Sequence, residues 1–185
     1  MHLFTSKREK RLWLSTLVII IAIYSTLSLA QPASNFLSDH GLLTPFFILG
    51  MLLVAVTILT QGFQRRIKKI DIGLTLGVIV VYLMVFVRME IPEERTHLIE
   101  YGVLAIFVHE AIKERYRLTT LVLQPALIAI FITAVFGIID ECIQIFLPNR
   151  VFDFRDIIFN TLAGIMAIGI SSVISWVRDR VKGKP

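Results

Sequence analysis

Several polar residues in the second half of this chain have types and spacings suited to proton transfer or ligand recognition. His97, Glu100 and Tyr101 are spaced i, i+3, i+4, which places them on one face of a helix. Asp140, Glu141 and Gln144 close an apolar run, with Asp140 and Gln144 on a shared face. Asp153, Asp156 and Asn160 follow at i, i+3, i+7, and Gly164 extends the same line. A carboxylate withdrawn from water becomes a stronger base, so Glu100 or Glu141 is a candidate general base and His97 can share its proton. These three are the candidate catalytic residues. Arg150 can hold a phosphate or carboxylate headgroup bidentately. Tyr101, Asp140, Gln144, Asp156 and Asn160 are the other candidate ligand-binding residues, Asn160 by orienting a ligand through hydrogen bonds.

Each residue also has a plainer reading. Asp140, Asp153 and Glu93 taken singly are ordinary charges at the end of an apolar segment, solvated or paired with Arg150 and Arg155. A lone His97 is more often a hydrogen-bonded structural residue than a ligand. Glu100, Glu141 and Asn160 are harder to dismiss, because ionisable or amide groups inside an apolar slab usually mark a substrate or ion path. His109 and Glu110, near the other end of their segment, are expected to meet a cytoplasmic loop.

Other chemistries lack their signatures. There is no phosphate-cradling P-loop, no H-E-x-x-H zinc pair and no G-x-S-x-G elbow. An oxygen-rich Mg²⁺ or Ca²⁺ site has no ligand spacing to support it. No metal and no cofactor are therefore expected. Glu141 is preceded by Asp and followed by no histidine, unlike the glutamate intramembrane proteases. Cys142 is the single cysteine, which excludes an internal disulfide and any Cys-based zinc site. With no base and oxyanion arrangement beside it, it is expected to be a small packing residue.

The elements that must position these residues are membrane helices. Of 185 residues, 56% are hydrophobic and 18% charged, against a soluble norm of roughly 45–50% and about 25%. Mean hydropathy is +0.76. This balance excludes a soluble enzyme, a disordered chain and a nucleic-acid-binding domain. Six apolar runs are near the ~20 residues that a helix needs to cross a bilayer: Leu12–Ala30, Leu42–Thr60, Ile72–Val87, Glu94–Ile112, Thr119–Ile139 and Ile157–Val177. The first has too long an apolar core for a cleavable signal peptide. Short connections predict an all-α polytopic bundle with antiparallel neighbours. Pro45 and Pro92 should open the second and fourth helices, with Glu93 and Glu94 at the positive end of the fourth and Lys113 and Arg115 at its negative end. Pro125 should kink the fifth. Ala163, Ala167, Ser171 and Ser175 make a small-residue stripe suited to close packing on the sixth, and Gly73 with Gly77 a single small pair on the third. Trp13 and Trp176 fit an interfacial belt.

The cations set the expected orientation. All but Arg88, Arg95, Arg150 and Arg155 of the 19 Lys and Arg fall before the first span, between the second and third, between the fourth and fifth, or after the sixth. Alternating spans put these four clusters on one side. The positive-inside rule makes that side cytoplasmic, with both termini there. Asp39, Glu90, Glu93, Glu94, Glu100, Asp140, Glu141, Asp153 and Asp156 belong to the opposite half. Acids contribute little to orientation, so their accumulation outside needs another explanation.

The run Asp140-Glu141-Cys142-Ile143-Gln144, then Pro148-Asn149-Arg150, then Asp156, Asn160 and Gly164, resembles the VanZ-like family of bacterial membrane proteins. That pattern reads approximately D-E-x-x-Q, a P-G-R turn, then D-x-x-x-N and a Gly. An upstream H-x-x-x-Y element corresponds to His97 and Tyr101. The chain departs from the pattern at Asn149, where Gly is usual, and carries Arg95 where Lys is frequent. Asn tolerates the left-handed turn that Gly would supply. The resemblance covers roughly residues 95–170, and the first three spans match nothing recognisable. It divides the chain into an N-terminal three-span segment (1–92), a VanZ-like three-span segment (93–178) and a basic tail (179–185), expected to form one bundle. It implies a multi-pass protein of the bacterial cell membrane. The founding member is associated with teicoplanin resistance, which suggests an envelope lipid, headgroup or lipoglycopeptide-like amphiphile as ligand. The alternative is a non-catalytic interaction or structural protein whose polar cluster holds its helices in register.

Overall fold

The structure is a computed structural model that describes residues 4–62, 77, 79–80, 92–117, 119, 123–147 and 152–181. Among these residues the chain is helical, with no strand. The helices are α1 (Lys7–Asp39), α2 (Leu43–Gly62), α3 (Pro92–Tyr116), α4 (Pro125–Gln144) and α5 (Phe154–Val181). They correspond to the first, second, fourth, fifth and sixth apolar runs. Gly77, Ile79 and Val80 are helical too, while the rest of the third run, Gly73 included, lies outside the described residues.

Local chemistry explains the helix ends. Ser6 Oγ accepts from Glu9 N at 3.0 Å, and Glu9 Oε2 reaches back to Thr5 N at 2.7 Å. This reciprocal cap starts α1 earlier than its apolar run does. The helix then continues through Pro32 for 33 residues, about 50 Å at 1.5 Å per residue. It stops in a Schellman turn: Leu42 N donates to Leu37 O at 2.8 Å and Gly41 N to Ser38 O at 3.0 Å. Gly41 supplies the required left-handed backbone, with φ +67°. Pro125 opens α4 as its first residue behind Gln124, and does not kink it. The physical reason is that a proline at the first helical position forfeits no intrahelical hydrogen bond. The consequence is a shift of the whole helix toward its C-terminus, so that Asp140, Glu141 and Gln144 become part of it.

Among the described residues, three stretches are long and apolar enough to cross a membrane: Lys7–Leu27, Pro125–Gln144 and Phe154–Val177, with Leu43–Thr57 a shorter apolar helix. Many large apolar side chains are exposed, among them Leu17, Val18, Leu49, Leu53, Phe131, Ile158, Leu162 and Val173. An apolar exterior is what a lipid-facing bundle presents. At the centre is α3, which packs against each of the other four helices, most extensively α5. Its Tyr101, Ala105, Ile106, Val108 and Ala111 are wholly buried. The helix with the most charged and histidine side chains is thus the one enclosed by protein.

Small residues let the helices approach. Ala163, Ala167 and Ser171 of the α5 stripe are buried. A Cβ on Gly164 would lie 3.1 Å from Thr133 Cγ2 and 3.4 Å from Ala105 Cβ, so α3, α4 and α5 meet there. Gly50 lies directly against Ile99, joining α2 to α3. Cys142 is exposed, which corrects its assignment to packing. It follows Glu141 on the helix and so points away from the buried face.

The end of α3 is fastened to the start of α1 by ion pairs. Arg8 bridges Glu110 and Glu114, each at 3.0 Å, and Lys113 reaches Glu110 at 2.8 Å. Arg115 pairs with the buried Glu9 at 2.6 Å. His109 and Glu110 are themselves buried. Glu110 therefore engages α1 and its own helix, not merely a loop.

Candidate functional site

The last turn of α4 and the first two turns of α5 carry most of the cluster, and α3 supplies the remainder. Asp140, Glu141 and Asn160 are 0% exposed, Gln144 is 2% and His97 is 5%. Tyr101 is wholly buried, and Asp156 and Glu100 are partly buried. Residues 148–151 lie outside the described set, so the expectation for Arg150 does too.

Glu141 is held from two sides. Its Oε2 accepts from Asp153 N at 3.0 Å, and its Oε1 accepts from Gln144 Nε2 at 3.1 Å. The first bond ties the entry of α5 to the end of α4. Asp153 itself is exposed, and its Oδ1 accepts from Arg155 N at 2.8 Å. That makes Asp153 a cap on α5, the plainer of its two readings. Across the helix boundary, His97 Nε2 lies 3.4 Å from Asp156 Oδ2. Among the described residues His97 Nδ1 has no partner.

Two tyrosines meet on the α4 backbone. Tyr24 from α1 donates its hydroxyl to Phe136 O at 3.0 Å, and Tyr101 donates to the same oxygen at 3.4 Å. Phe136 lies one turn before Asp140, and both hydroxyls sit beside the Asp140 carboxylate. Nothing in the sequence marked Tyr24, one of two aromatics in its apolar run. Its polar tip, which needs a partner when buried, is the one signal that could have found it.

Asn160 lies one turn beyond Asp156 and packs on Gly137, itself one turn before Glu141. A Cβ at Gly137 would stand 3.0 Å from Asn160 Cβ and 3.1 Å from its Nδ2. Gly137 is thus the space into which the amide fits, and sequence reasoning missed it. Among the described residues neither Oδ1 nor Nδ2 of Asn160 has a partner. Buried polar atoms are nearly always satisfied, so a buried amide and a buried imidazole nitrogen without a partner among the described residues are places where a ligand or water can bind.

One atom each from His97, Glu141 and Asp156 can be chosen so that all three lie within 4.8 Å of one another. Three helices contribute to this trio, which is why spacing along the chain did not reveal it. Chemically the arrangement offers a carboxylate–imidazole pair for proton exchange, a second oriented carboxylate, and an amide for hydrogen bonding.

The VanZ/LLP1 family matches the chain over residues 12–175. No curated protein and no solved structure matches it. The family match begins in α1 and ends in α5, and so extends well beyond residues 95–170, where the recognisable motifs lie. The earlier helices therefore belong to the family's pattern together with the polar segment. With its apolar exterior and membrane-length helices, the chain is a membrane protein of the VanZ/LLP1 family.

Proposed function

We propose that the His97, Glu141, Asp156 and Asn160 cluster is an outward-facing site that binds, or acts on, an envelope lipid headgroup or a similar amphiphile in the bacterial cell membrane. The observation that carries this reading is a pair of buried polar groups without a partner among the described residues, His97 Nδ1 and the Asn160 amide, on two of the helices that carry the carboxylates. A cluster that served packing alone would satisfy its own atoms. In this reading Glu100 or Glu141 acts as base and His97 shares the proton. Arg150 anchors an anionic headgroup, while Tyr101, Asp140, Gln144 and Asn160 shape the pocket. Six spans with both termini cytoplasmic put the cluster at the outer face, in keeping with the cation clusters at the other ends of the spans.

A second reading has its own support. The bonds of Glu141 to Asp153 N and Gln144 hold α4 and α5 in register, as a non-catalytic interaction module would require. Lipid composition of a deletion strain beside an Asn160→Ala strain separates the two. A lipid species that changes alike in both supports chemistry or transport at the site. An unchanged profile in both strains contradicts it and leaves the module.

A further inference from the structure

We propose that His97, Glu141 and Asp156 form a binding site for a divalent transition-metal ion, with the Asn160 amide contributing to the same pocket. The three ligand atoms lie within 4.8 Å of one another. An ion held at about 2.1 Å needs its ligands no more than about 4.2 Å apart, so a sub-ångström side-chain adjustment closes the set. The 3.4 Å between His97 Nε2 and Asp156 Oδ2 already suits adjacent ligands, which stand roughly 3.0–3.6 Å apart around such an ion.

The surroundings point the same way. Ligating carboxylates are normally fixed by further hydrogen bonds, and Glu141 is fixed by Asp153 N and Gln144 Nε2. Each of its oxygens keeps a second lone pair for a metal. Asp140 and Asp156 face Glu141, while Asp156, Glu100 and Asp140 face His97. One imidazole among four carboxylates crowds acids in a low-dielectric interior, where a divalent cation would favour their ionised form. Independently of these acids, the buried Asn160 amide has no partner among the described residues; it sits one turn beyond Asp156 on α5 and packs on Gly137, one turn before Glu141 on α4. Its oxygen can complete the coordination or hold a metal-bound water. An imidazole with carboxylates suits Zn²⁺ or Mn²⁺ better than the all-oxygen preference of Mg²⁺ or Ca²⁺.

The test uses the full-length protein in detergent, stripped with EDTA and titrated with Zn²⁺ or Mn²⁺ alone. Bound metal is counted by mass spectrometry after desalting, and the melting temperature is read in parallel. Wild type should take up one equivalent of one of these ions and melt higher with it. Asp156→Asn and Glu141→Gln should each bind at least about tenfold more weakly. Glu110→Gln, at the opposite end of α3, should bind as wild type does. Circular dichroism checks that the variants keep their helices, and His97→Gln replaces either one that does not. Failure of the wild type to bind either ion stoichiometrically overturns the proposal, as does undiminished binding by a folded ligand variant. No lipid is present in the titration, so a negative result leaves the headgroup reading untouched.

Discussion

His97 Nε2 and Asp156 Oδ2 stand 3.4 Å apart, linking α3 to the first turn of α5 with side chains 7% and 18% exposed. The two residues are distant in sequence, and their contact brings α3 to the cluster. Removing one partner leaves the other short of a partner in a largely dry environment, at a cost of about 1–3 kcal/mol. His97→Gln and Asp156→Asn should each destabilise the detergent-solubilised protein by that order, and the double variant by less than their sum. Chemical unfolding of the four proteins measures the coupling. Additive losses would mean that the pair does not interact.

Gly137 should tolerate no larger residue. The Cβ of Gly137→Ala would stand 3.0 Å from Asn160 Cβ, and the backbones of α4 and α5 would have to part. Overpacking of this kind costs about 1–3 kcal/mol. Gly169→Ala is the matched control, since its Cβ meets nothing within 4 Å and alanine is the better helix former. A lowered melting temperature is expected for the first substitution and an unchanged or raised one for the second. Equal effects would show that Gly137 does not make the space for Asn160.

The opposite end of the bundle makes a separate prediction. Glu9 is wholly buried and accepts from Thr5 N, Thr5 Oγ1 and Arg115 Nε. Glu9→Ala removes the bonds from Thr5 and the Arg115 partner together, while Ser6 still caps the helix at residue 9 N. It should therefore destabilise more than Glu114→Ala, whose loss leaves Arg8 still bonded to Glu110. We expect a difference of about 1 kcal/mol or more, since a hydrogen bond to a charged group is worth about 1.5–3 kcal/mol. Limited proteolysis should cut the start of α1 sooner in Glu9→Ala. Equal protection in the two variants would contradict this role for Glu9.

Much of this architecture was legible in residue order, for identifiable reasons. Long apolar runs can only be helices in lipid, and i, i+3, i+4 spacing placed His97 and Tyr101 on the face that is buried. Contacts between helices were not legible, because periodicity gives a face but no register against a neighbour. Tyr24, Gly137 and the His97–Glu141–Asp156 trio all belong to that category. The pairing of Arg8 with Glu110 was hidden similarly, since cations before a first span have a sufficient topological explanation. Pro125 misled in another way. Apolar residues on both its sides suggested a helix through it, yet a proline at the first helical position costs less than one inside.

Orientation is the remaining prediction, and the single native cysteine makes it accessible. The site reading needs the α4–α5 turn outside the cell and the segment between the second and third spans inside. Cys142 is exposed near the end of α4, so Cys142→Ser supplies a cysteine-free background without disturbing the buried face. In that background, Asn149→Cys should react with a membrane-impermeant maleimide in intact cells. Arg66→Cys should react only after permeabilisation. Reporter fusions at Arg66 and at the C-terminus should read cytoplasmic. Four cation clusters at the proposed inner side make this arrangement the favoured one, because Lys and Arg near span ends resist translocation. Labelling of Arg66→Cys but not Asn149→Cys in intact cells would invert the bundle. The carboxylates of α4 and α5 would then face the cytoplasm, and an envelope headgroup from the outer leaflet could not be their ligand.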